Sequence, residues 1–489
     1  MESASALSVH ANIYTLLSFI AYILLILGIG IYSAKFSSKG LGEFFLGGRS
    51  MNKFVVALSA VASGRSSWLL IGFTGMAFVK GASAIWAAAG YVTVEFLMFL
   101  YAAPKLRKQT EVKNDITIPD YFESRFNDKS HILRLISSII IIVFMTAYIS
   151  AQFVGGGKAF ASSFGTSNST GIILTALIVL IYTMLGGFLA VSLTDVIQAF
   201  FMLFALFVLP VITIINFGGW EKVMQAVSNI NPELLDPFAI GTGALIGFLG
   251  IGLGSPGNPH ILVRYMSIKD PSELKFSAYV GTFWNATMAF AAVIIGIAGR
   301  AYFPTAASLP GGDAENLYPF LAQTHLHPVL FGIVIASILA AIMSTADSML
   351  LVSASAVIRD IYQKIINPHR KFSQNELVFY SRIIILLIVI FALAFGYFAS
   401  DLVFWLVLFA WGGLGAAFGP TILLSLFWDK TTKQGVLTGF IVGVLTIIIW
   451  KQTPELKSII YELVPGFFLS LIFTVIVSLL TAKDKQTEA

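Results

Sequence analysis

Within ASILAAIMSTADSMLLVSASAV (residues 336–357), an otherwise apolar run holds Ser344, Thr345, Asp347 and Ser348. On a helix, Ser344, Asp347 and Ser348 share a face at i, i+3 and i+4. Hydroxyls beside a carboxylate offer oxygen ligands to a small hard cation, whereas a lone Ser-Thr more often bonds back to its own helix carbonyls. GGFLAVSLTDVIQAF (186–200) adds Thr194 and Asp195, which read equally as a helix N-cap or as a second buried acid. VASGRSSWLLIGFTG (61–75) sets Gly64 and Arg65 among serines, and an arginine at the bilayer centre costs about 2.5–3.5 kcal/mol. GFLGIGLGSPGNPHILVRYM (247–266) packs five glycines and two prolines into 247–259. That density predicts an unwound helix. Close packing through small residues explains the glycines but not Pro256, Asn258, Pro259 or Arg65. Paired broken spans in corresponding positions of two halves mark the binding site of an inverted-repeat transporter. A third glycine-rich run, AWGGLGAAFGP (410–420), is expected to bend as a gate. Glu95 and Lys158 lie near predicted span ends, where snorkelling to the interface is the simpler reading.

The elements that must position these residues are membrane helices. The chain has 489 residues, 57% hydrophobic and 11% charged, against about 25% charged in an ordinary soluble domain. Apolar runs of about 20 residues recur throughout, so the fold class is an all-α polytopic membrane protein with about thirteen transmembrane helices. They fall near 12–34, 53–79, 82–103, 132–163, 168–190, 192–217, 239–266, 276–302, 327–358, 378–399, 401–427, 432–450 and 459–481. Counting five helices from the second span to the seventh, and five more through the eleventh, divides the chain. Residues 53–217 read as a first inverted repeat and 239–427 as a second. An extra helix and loop (1–52) precede them, and two extra helices with a short tail (432–489) follow.

Basic residues set the orientation. Lys35, Lys39, Arg49 and Lys53 follow the first span, and Lys105, Arg107, Lys108, Lys113, Arg125 and Lys129 follow the third. Later loops on the same side hold Arg264, Lys269, Lys275, Arg359, Lys364, Arg370, Lys371, Lys430 and Lys433, whereas the opposite side has only Lys80, Lys222, Arg300, Lys451 and Lys457. This places the N-terminus outside and the tail TAKDKQTEA in the cytoplasm of a cell membrane, inner or plasma. The net charge of +5 is thus an orientation signal, and no nucleic-acid partner is expected. MESASALSVHANIY carries an acid and no base before the first apolar run, so that run is expected to stay a span rather than a cleaved leader. The absence of cysteine excludes disulfides and thiolate chemistry. No HExxH, nucleophile–base pair or phosphate loop emerges, so an enzyme is not expected.

The stretches EFFLGGRSM (43–51), ALSAVAS and SSWLLIGFTG in the second span, GGFLAVSLTDVIQAF, GSPGNPHILVRYMSIKD (254–270) and LAAIMSTADSMLLVSASAVIRDIY (339–362) resemble the sodium:solute symporter family, in order, over residues 12–430. Within it they stand nearest the proline-transporting branch. The resemblance implies thirteen spans and a leucine-transporter-like 5+5 inverted repeat. It also implies a sodium site formed by the carbonyls of Ala62, Arg65 and Ala341 and the side chains of Ser344 and Thr345. Asp195 matches a family aspartate that handles sodium on the inward side. With Ser344, the residues Asp195, Asp347 and Ser348 fall where some relatives hold a second cation, here sodium or a proton. Substrate is implied between the broken spans and the fourth, at Arg65, Ser66, Ser67, Trp68, Tyr148, Gln152, Ser255 and Pro259. Two departures stand out. Gly64-Arg65 replaces an aspartate and an uncharged residue, and Ile251 and Ser255 replace aromatic residues.

The leading expectation is a secondary active transporter. It would couple Na⁺ to a small carboxylate-bearing solute, L-proline first, by alternating access, with the bilayer and the solute as its partners and no obligate protein partner. The alternative keeps the fold with proton-coupled or sodium-independent transport of another amino acid or organic acid, Arg65 altering the cation site. A direct Arg65–Asp347 pair would favour that version; the two hydroxyls of Ser344 and Thr345 argue against it. A sensor or channel is the third reading, and the tail of about eight residues is too short for the signalling module that some relatives carry.

Overall fold

The computed structural model describes residues 12–34, 40–398 and 402–482. Lys35 and Lys39, counted above toward orientation, lie outside the described residues, as do residues 1–11 and the tail beyond 482. The described residues form helices and no named strand; Met51 and Ile268 make an isolated bridge. The helices that matter below are α1 (Ile13–Ala34), α2 (Lys53–Ser67), α3 (Ile85–Leu97), α4 (Ile132–Phe164), α5 (Asn168–Phe217), α6 (Thr242–Gly250), α7 (Pro259–Ser267), α8 (Leu274–Tyr302), α9 (Pro328–Ser355) and α10 (Val403–Phe427).

Among the described residues, ten helices are long and apolar enough to cross a membrane, and two shorter apolar helices cover Asn168–Met184 and Thr242–Gly257. One of the ten runs from Lys53 to Val112, 60 residues. At about 1.5 Å per residue it would measure about three times the hydrocarbon thickness. The run turns at Gly81, whose φ of 62° puts the missing Cβ against the Leu234 carbonyl. The sixth predicted span begins at Gly187 (φ 58°, ψ −167°), where α5 kinks, and not near residue 192. Thr194 and Asp195 therefore sit inside the helix, which removes the N-cap reading.

Burial sorts the bundle. The spans built on α2–α3, α9 and α10 bury most of their length, whereas α1 and the helices Lys433–Gln452 and Leu463–Thr481 bury well under half of theirs. Along α1, Ile13, Leu17 and Leu24 form an outward apolar stripe while Phe19, Tyr22 and Ile26 face the core, the 3.6-residue pattern turned toward lipid. At one end of the bundle Lys158 bonds Asp313 (2.7 Å) and Glu315 (2.6 Å), so it is paired rather than snorkelling. Glu315 also accepts the backbone N–H groups of Val403 (3.0 Å) and Phe404 (2.8 Å), satisfying two orphan donors at the start of α10. At the other end Arg134 gathers Asp120 (2.7 Å), Glu123 (2.7 Å) and Asp360 (2.5 Å).

Asp128 ties the loop before α4 to the helix Lys433–Gln452. It accepts from Lys433 (2.6 Å), the Ser130 hydroxyl (2.6 Å) and the Leu133 N–H (2.8 Å). Burial pushes its carboxyl up, but Lys433, Ser130 and the backbone donors outweigh that and hold it down at about 2. The folded value lies below the unfolded one of about 3.9, so its stabilisation is whole above about pH 4 and is lost as pH falls through 2. Asp128→Ala is expected to cost about 1–2 kcal/mol at pH 7, read by thermal unfolding in detergent. The gap to the parent should close as pH falls toward 2.

Candidate functional site

The broken second span breaks at Ser66, not at Gly64. Ser66 has φ 51° and ψ −175°, a region essentially reserved for glycine that costs about 1–3 kcal/mol for another residue. The surroundings hold it there: the Ser66 hydroxyl accepts the Trp68 N–H (3.1 Å) and Gln152 Oε1 accepts the Ser67 N–H (2.9 Å). Gly64 is helical and serves packing, since a Cβ on it would lie 3.3 Å from Ile261 Cδ1 and 3.9 Å from Glu95 Oε1. The second break follows the expectation. After α6 the chain tightens into a 3-10 turn over Ile251–Gly257, Asn258 is extended, and α7 restarts at Pro259. The Asn258 side chain donates to the Gly254 carbonyl (2.7 Å).

The third glycine run is not unwound as the other two are. α10 is continuous from Val403 to Phe427, and its glycines admit neighbours, Gly415 lying against Gly254 and Gly413 against Phe144. Trp411 of α10 donates its indole N–H to the Ile251 carbonyl (2.8 Å) and fills the space where a Gly254 Cβ would stand. Gly254→Ala is therefore expected to cost about 1–3 kcal/mol through overpacking, measured as a lowered unfolding temperature.

Three buried polar clusters surround the two breaks. In the first, the Ser344 hydroxyl donates to the carbonyls of Ala62 (3.1 Å) and Ala341 (3.1 Å), and the Thr345 hydroxyl donates to the Ser63 carbonyl (2.9 Å). Ala62, Ala341, Ser344 and Thr345 thus meet across α2 and α9, with Ser63 beside them. The Arg65 carbonyl is instead taken by the Trp68 N–H.

In the second, Asp195 Oδ2 accepts from Ser59 (2.6 Å), Ser63 (3.1 Å) and Arg264 (3.3 Å). Ser348 contacts Ser63 (3.1 Å), Asp347 (3.1 Å) and Arg264. Arg264, counted from sequence as a loop charge, is buried in α7, and its guanidinium lies 5.2 Å from the Phe188 ring centroid.

In the third, Arg65 pairs with Glu95 of α3 and stacks 4.0 Å over the Tyr91 ring. Glu95 also accepts from Asn285 (2.6 Å) and Ser255 (3.4 Å). Glu95 is therefore an internal partner and not a snorkelling side chain, and the acid facing Arg65 is Glu95 and not Asp347.

Between the breaks lies a cavity of about 20 Å³ bounded by Gly64, Arg65, Trp68, Tyr91, Tyr148, Ile251, Val407, Leu408 and Trp411. A water fills that volume; a solute does not, so the site is closed in this state. Arg65 Nε, Trp68 Nε1 and the Tyr91 hydroxyl, all donors, have no hydrogen-bond partner among the described residues. A cavity of about 470 Å³, bordered by Lys80, Phe248, Trp405 and Lys457, shares Ile251 and Leu408 with the small one. Trp68 stacks on Phe404 (5.5 Å between centroids), which links the cavity to the Glu315-capped start of α10.

Of the substrate residues expected from sequence, Arg65, Trp68 and Tyr148 line the cavity. Ser66, Ser67 and Gln152 form the break, Ser255 faces Glu95, and Pro259 opens α7. Sequence reasoning missed Ser59, Ser63, Arg264 and Asn285 and gave Glu95 no role here. Ser59 and Ser63 carried a readable signal, being i and i+4 on the face that meets Asp195.

Comparison with known proteins places this geometry. The model of the sodium:solute symporter family matches residues 44–443. The osmoregulated proline transporter OpuE of Bacillus subtilis (strain 168) is 39% identical over 481 residues, covering 97% of this chain and 96% of that protein. A sodium/proline symporter of Staphylococcus aureus (strain bovine RF122 / ET3-1) is 39% identical over 495 residues, covering 99% and 96%. A solved structure of a Na⁺-coupled sialic acid symporter, substrate-bound and outward-open with a novel Na⁺ site, aligns with TM-score 0.81 at 20% identity, covering 96% of this chain and 98% of that one. MhsT in complex with L-phenylalanine aligns with TM-score 0.58 at 14% identity, covering 89% and 99%. At those identities the likeness is one of fold, that of the leucine-transporter type.

Proposed function

Because the chain belongs to the sodium:solute symporter family, we propose that it is a multi-pass membrane carrier that couples Na⁺ entry to uptake of L-proline by alternating access. Sodium is the coupling ion, and the family and the relatives are transporters rather than enzymes. The observation that carries the reading is the crossing of Ser344 and Thr345 onto the Ala62 and Ser63 carbonyls, next to the strained Ser66 and the Arg65 cavity. Oxygens so grouped suit a small hard cation. The Arg65 carbonyl would join them once released from Trp68. The three unpartnered donors of Arg65, Trp68 and Tyr91 suit a substrate carboxylate, with Tyr148 closing the cavity wall. Opening requires Ile251 and Leu408 to part, which the shared wall with the larger chamber supports.

Dividing the run from 53 to 112 at Gly81 and taking each of the two shorter apolar helices as a pass supports a reading of thirteen passes. The meeting of both breaks at one cavity supports 53–217 and 239–427 as inverted repeats between the extra helices of 1–52 and 432–489. The basic loops orient the N-terminus outward and the C-terminus to the cytoplasm. Inward-negative potential then adds about 2.3 kcal/mol per charge per 100 mV to uptake.

Reciprocal linkage requires that sodium raise proline affinity and proline raise sodium affinity. Purified protein heated with L-proline should unfold at higher temperature in NaCl than in choline chloride, since a ligand of the folded state stabilises it. No proline-dependent shift in either salt overturns the substrate; equal shifts in both overturn the coupling.

A further inference from the structure

Orientation in a membrane requires basic residues on one side, but not that they converge. Three of them do. Lys108, Lys113 and Arg125 border a cavity of about 730 Å³ together with Gln109, Asn127 and the acid Asp115. It lies between the helices Ala103–Val112 and Ile118–Arg125 and shares no lining residue with the two cavities described above.

The basic side chains exceed what their surroundings use. Cations in the last turn of a helix commonly serve its carbonyl end, but Arg49 does that here. Its guanidinium donates to the carbonyls of Thr110 (3.0 Å), Asp115 (2.6 Å) and Met266 (2.9 Å). Lys108 and Lys113 are exposed and have no hydrogen bond or ion pair among the described residues. Arg125 donates to the Ser425 carbonyl (3.1 Å), and its ion pair with the fully exposed Asp429, at 3.8 Å, contributes little. The acids nearby are engaged: Asp115 accepts the Ser124 hydroxyl (2.6 Å) and Glu111 pairs with Arg107 (2.8 Å). Gln109 accepts the Tyr121 hydroxyl through Oε1 (3.2 Å), which leaves its amide N–H groups to donate. Three cations against one carboxylate leave a surplus that suits an anion.

The recess also meets the bilayer. Tyr101, Lys105, Lys108 and Val112 follow at i, i+4, i+7 and i+11, so they share one helix face. All four are exposed. Val112 lines the recess, and Tyr101 is of the ring type that sits at membrane interfaces. Lys105 lies 4.0 Å over the exposed Phe427 ring at the end of α10, which continues the apolar approach. A basic recess at the end of an exposed apolar strip fits an amphiphile with an anionic head.

We propose that the recess is a binding site for a phosphate group, carried by an anionic lipid whose acyl chains lie along the Tyr101 face. Lys108 and Lys113 from one helix and Arg125 from the other grip it, so the headgroup ties the two helices together. Tyr121 and Arg125 both reach Ser425 of α10 (2.9 and 3.1 Å), which extends the tie to α10.

The test is thermal unfolding of the purified full chain in detergent, with dioleoyl phosphatidylglycerol, dioleoyl phosphatidylcholine or inorganic phosphate titrated in. Phosphatidylglycerol should raise the unfolding temperature saturably. Phosphatidylcholine, with the same chains and no net charge, should not. Lys108→Gln and Lys113→Gln should each raise the half-saturating concentration about fivefold, and together about 25-fold. A parental unfolding temperature without lipid shows that these variants are folded. Lys129→Gln/Lys371→Gln removes the same charge from the same side outside the recess and should respond as the parent does. If inorganic phosphate gives the lysine-dependent shift and neither lipid does, the same site takes a soluble phosphate. No shift with any probe, equal shifts with both lipids, or equal weakening in the two double variants overturns the proposal.

Discussion

Arg65→Met is expected to destabilise the fold by about 3–5 kcal/mol, because it strands the Glu95 carboxylate in the bilayer core. Glu95 would keep only Asn285 (2.6 Å) and Ser255 (3.4 Å). Loss of the stacking on Tyr91 (4.0 Å) adds about 0.5–2 kcal/mol. The double variant Arg65→Met/Glu95→Leu removes both charges and should recover most of the unfolding temperature, since a buried ion pair is often replaceable by apolar side chains. It should not recover proline-dependent stabilisation, because the donor aimed at the carboxylate is gone. Thermal unfolding of the single and double variants, with and without L-proline, separates the two roles. A single variant with parental stability and parental proline response would make the side chain a bystander.

The second large effect is expected at the two hydroxyls proposed as sodium ligands. Ser344→Ala and Thr345→Val each remove a hydroxyl that spans α2 and α9 (3.1 and 2.9 Å). A polar contact to a charged partner contributes about 1.5–3 kcal/mol, so each change should weaken apparent sodium affinity about 10–150-fold. The double variant should show almost no sodium-driven uptake at physiological sodium. Thr345→Ser, which keeps the oxygen, should stay near the parent. The concentration of sodium giving half-maximal uptake measures this, and unchanged values in the double variant would remove these hydroxyls from the site.

Much of this architecture is legible in one sequence because a bilayer allows few solutions. Long apolar runs must be helices, and glycine–proline density at 247–259 foretells the Ile251–Gly257 distortion. The break in the second span falls at Ser66, inside the serine-rich stretch around Gly64 and Arg65. Gly64 is the permissive residue by type, while Ser66 takes the strained conformation because Gln152 holds the next N–H and its own hydroxyl holds Trp68. Local propensity does not contain that tertiary contest. Glu95, Lys158 and Arg264 failed for a shared reason. A charged residue near a span end can reach the interface or turn inward, and hydropathy is the same for both. Only the neighbours decide: Arg65 for Glu95, the acids Asp313 and Glu315 for Lys158, and Asp195 for Arg264. The glycines of α10 lie in an unbroken helix, where Gly415 admits Gly254 and Gly413 admits Phe144.

Uptake of radiolabelled L-proline into proteoliposomes, at fixed pH and with an imposed inside-negative potential, tests the central claim most directly. With an inward sodium gradient, internal proline should rise above the external concentration and collapse when sodium is replaced by choline. Undiminished accumulation in choline would contradict sodium coupling.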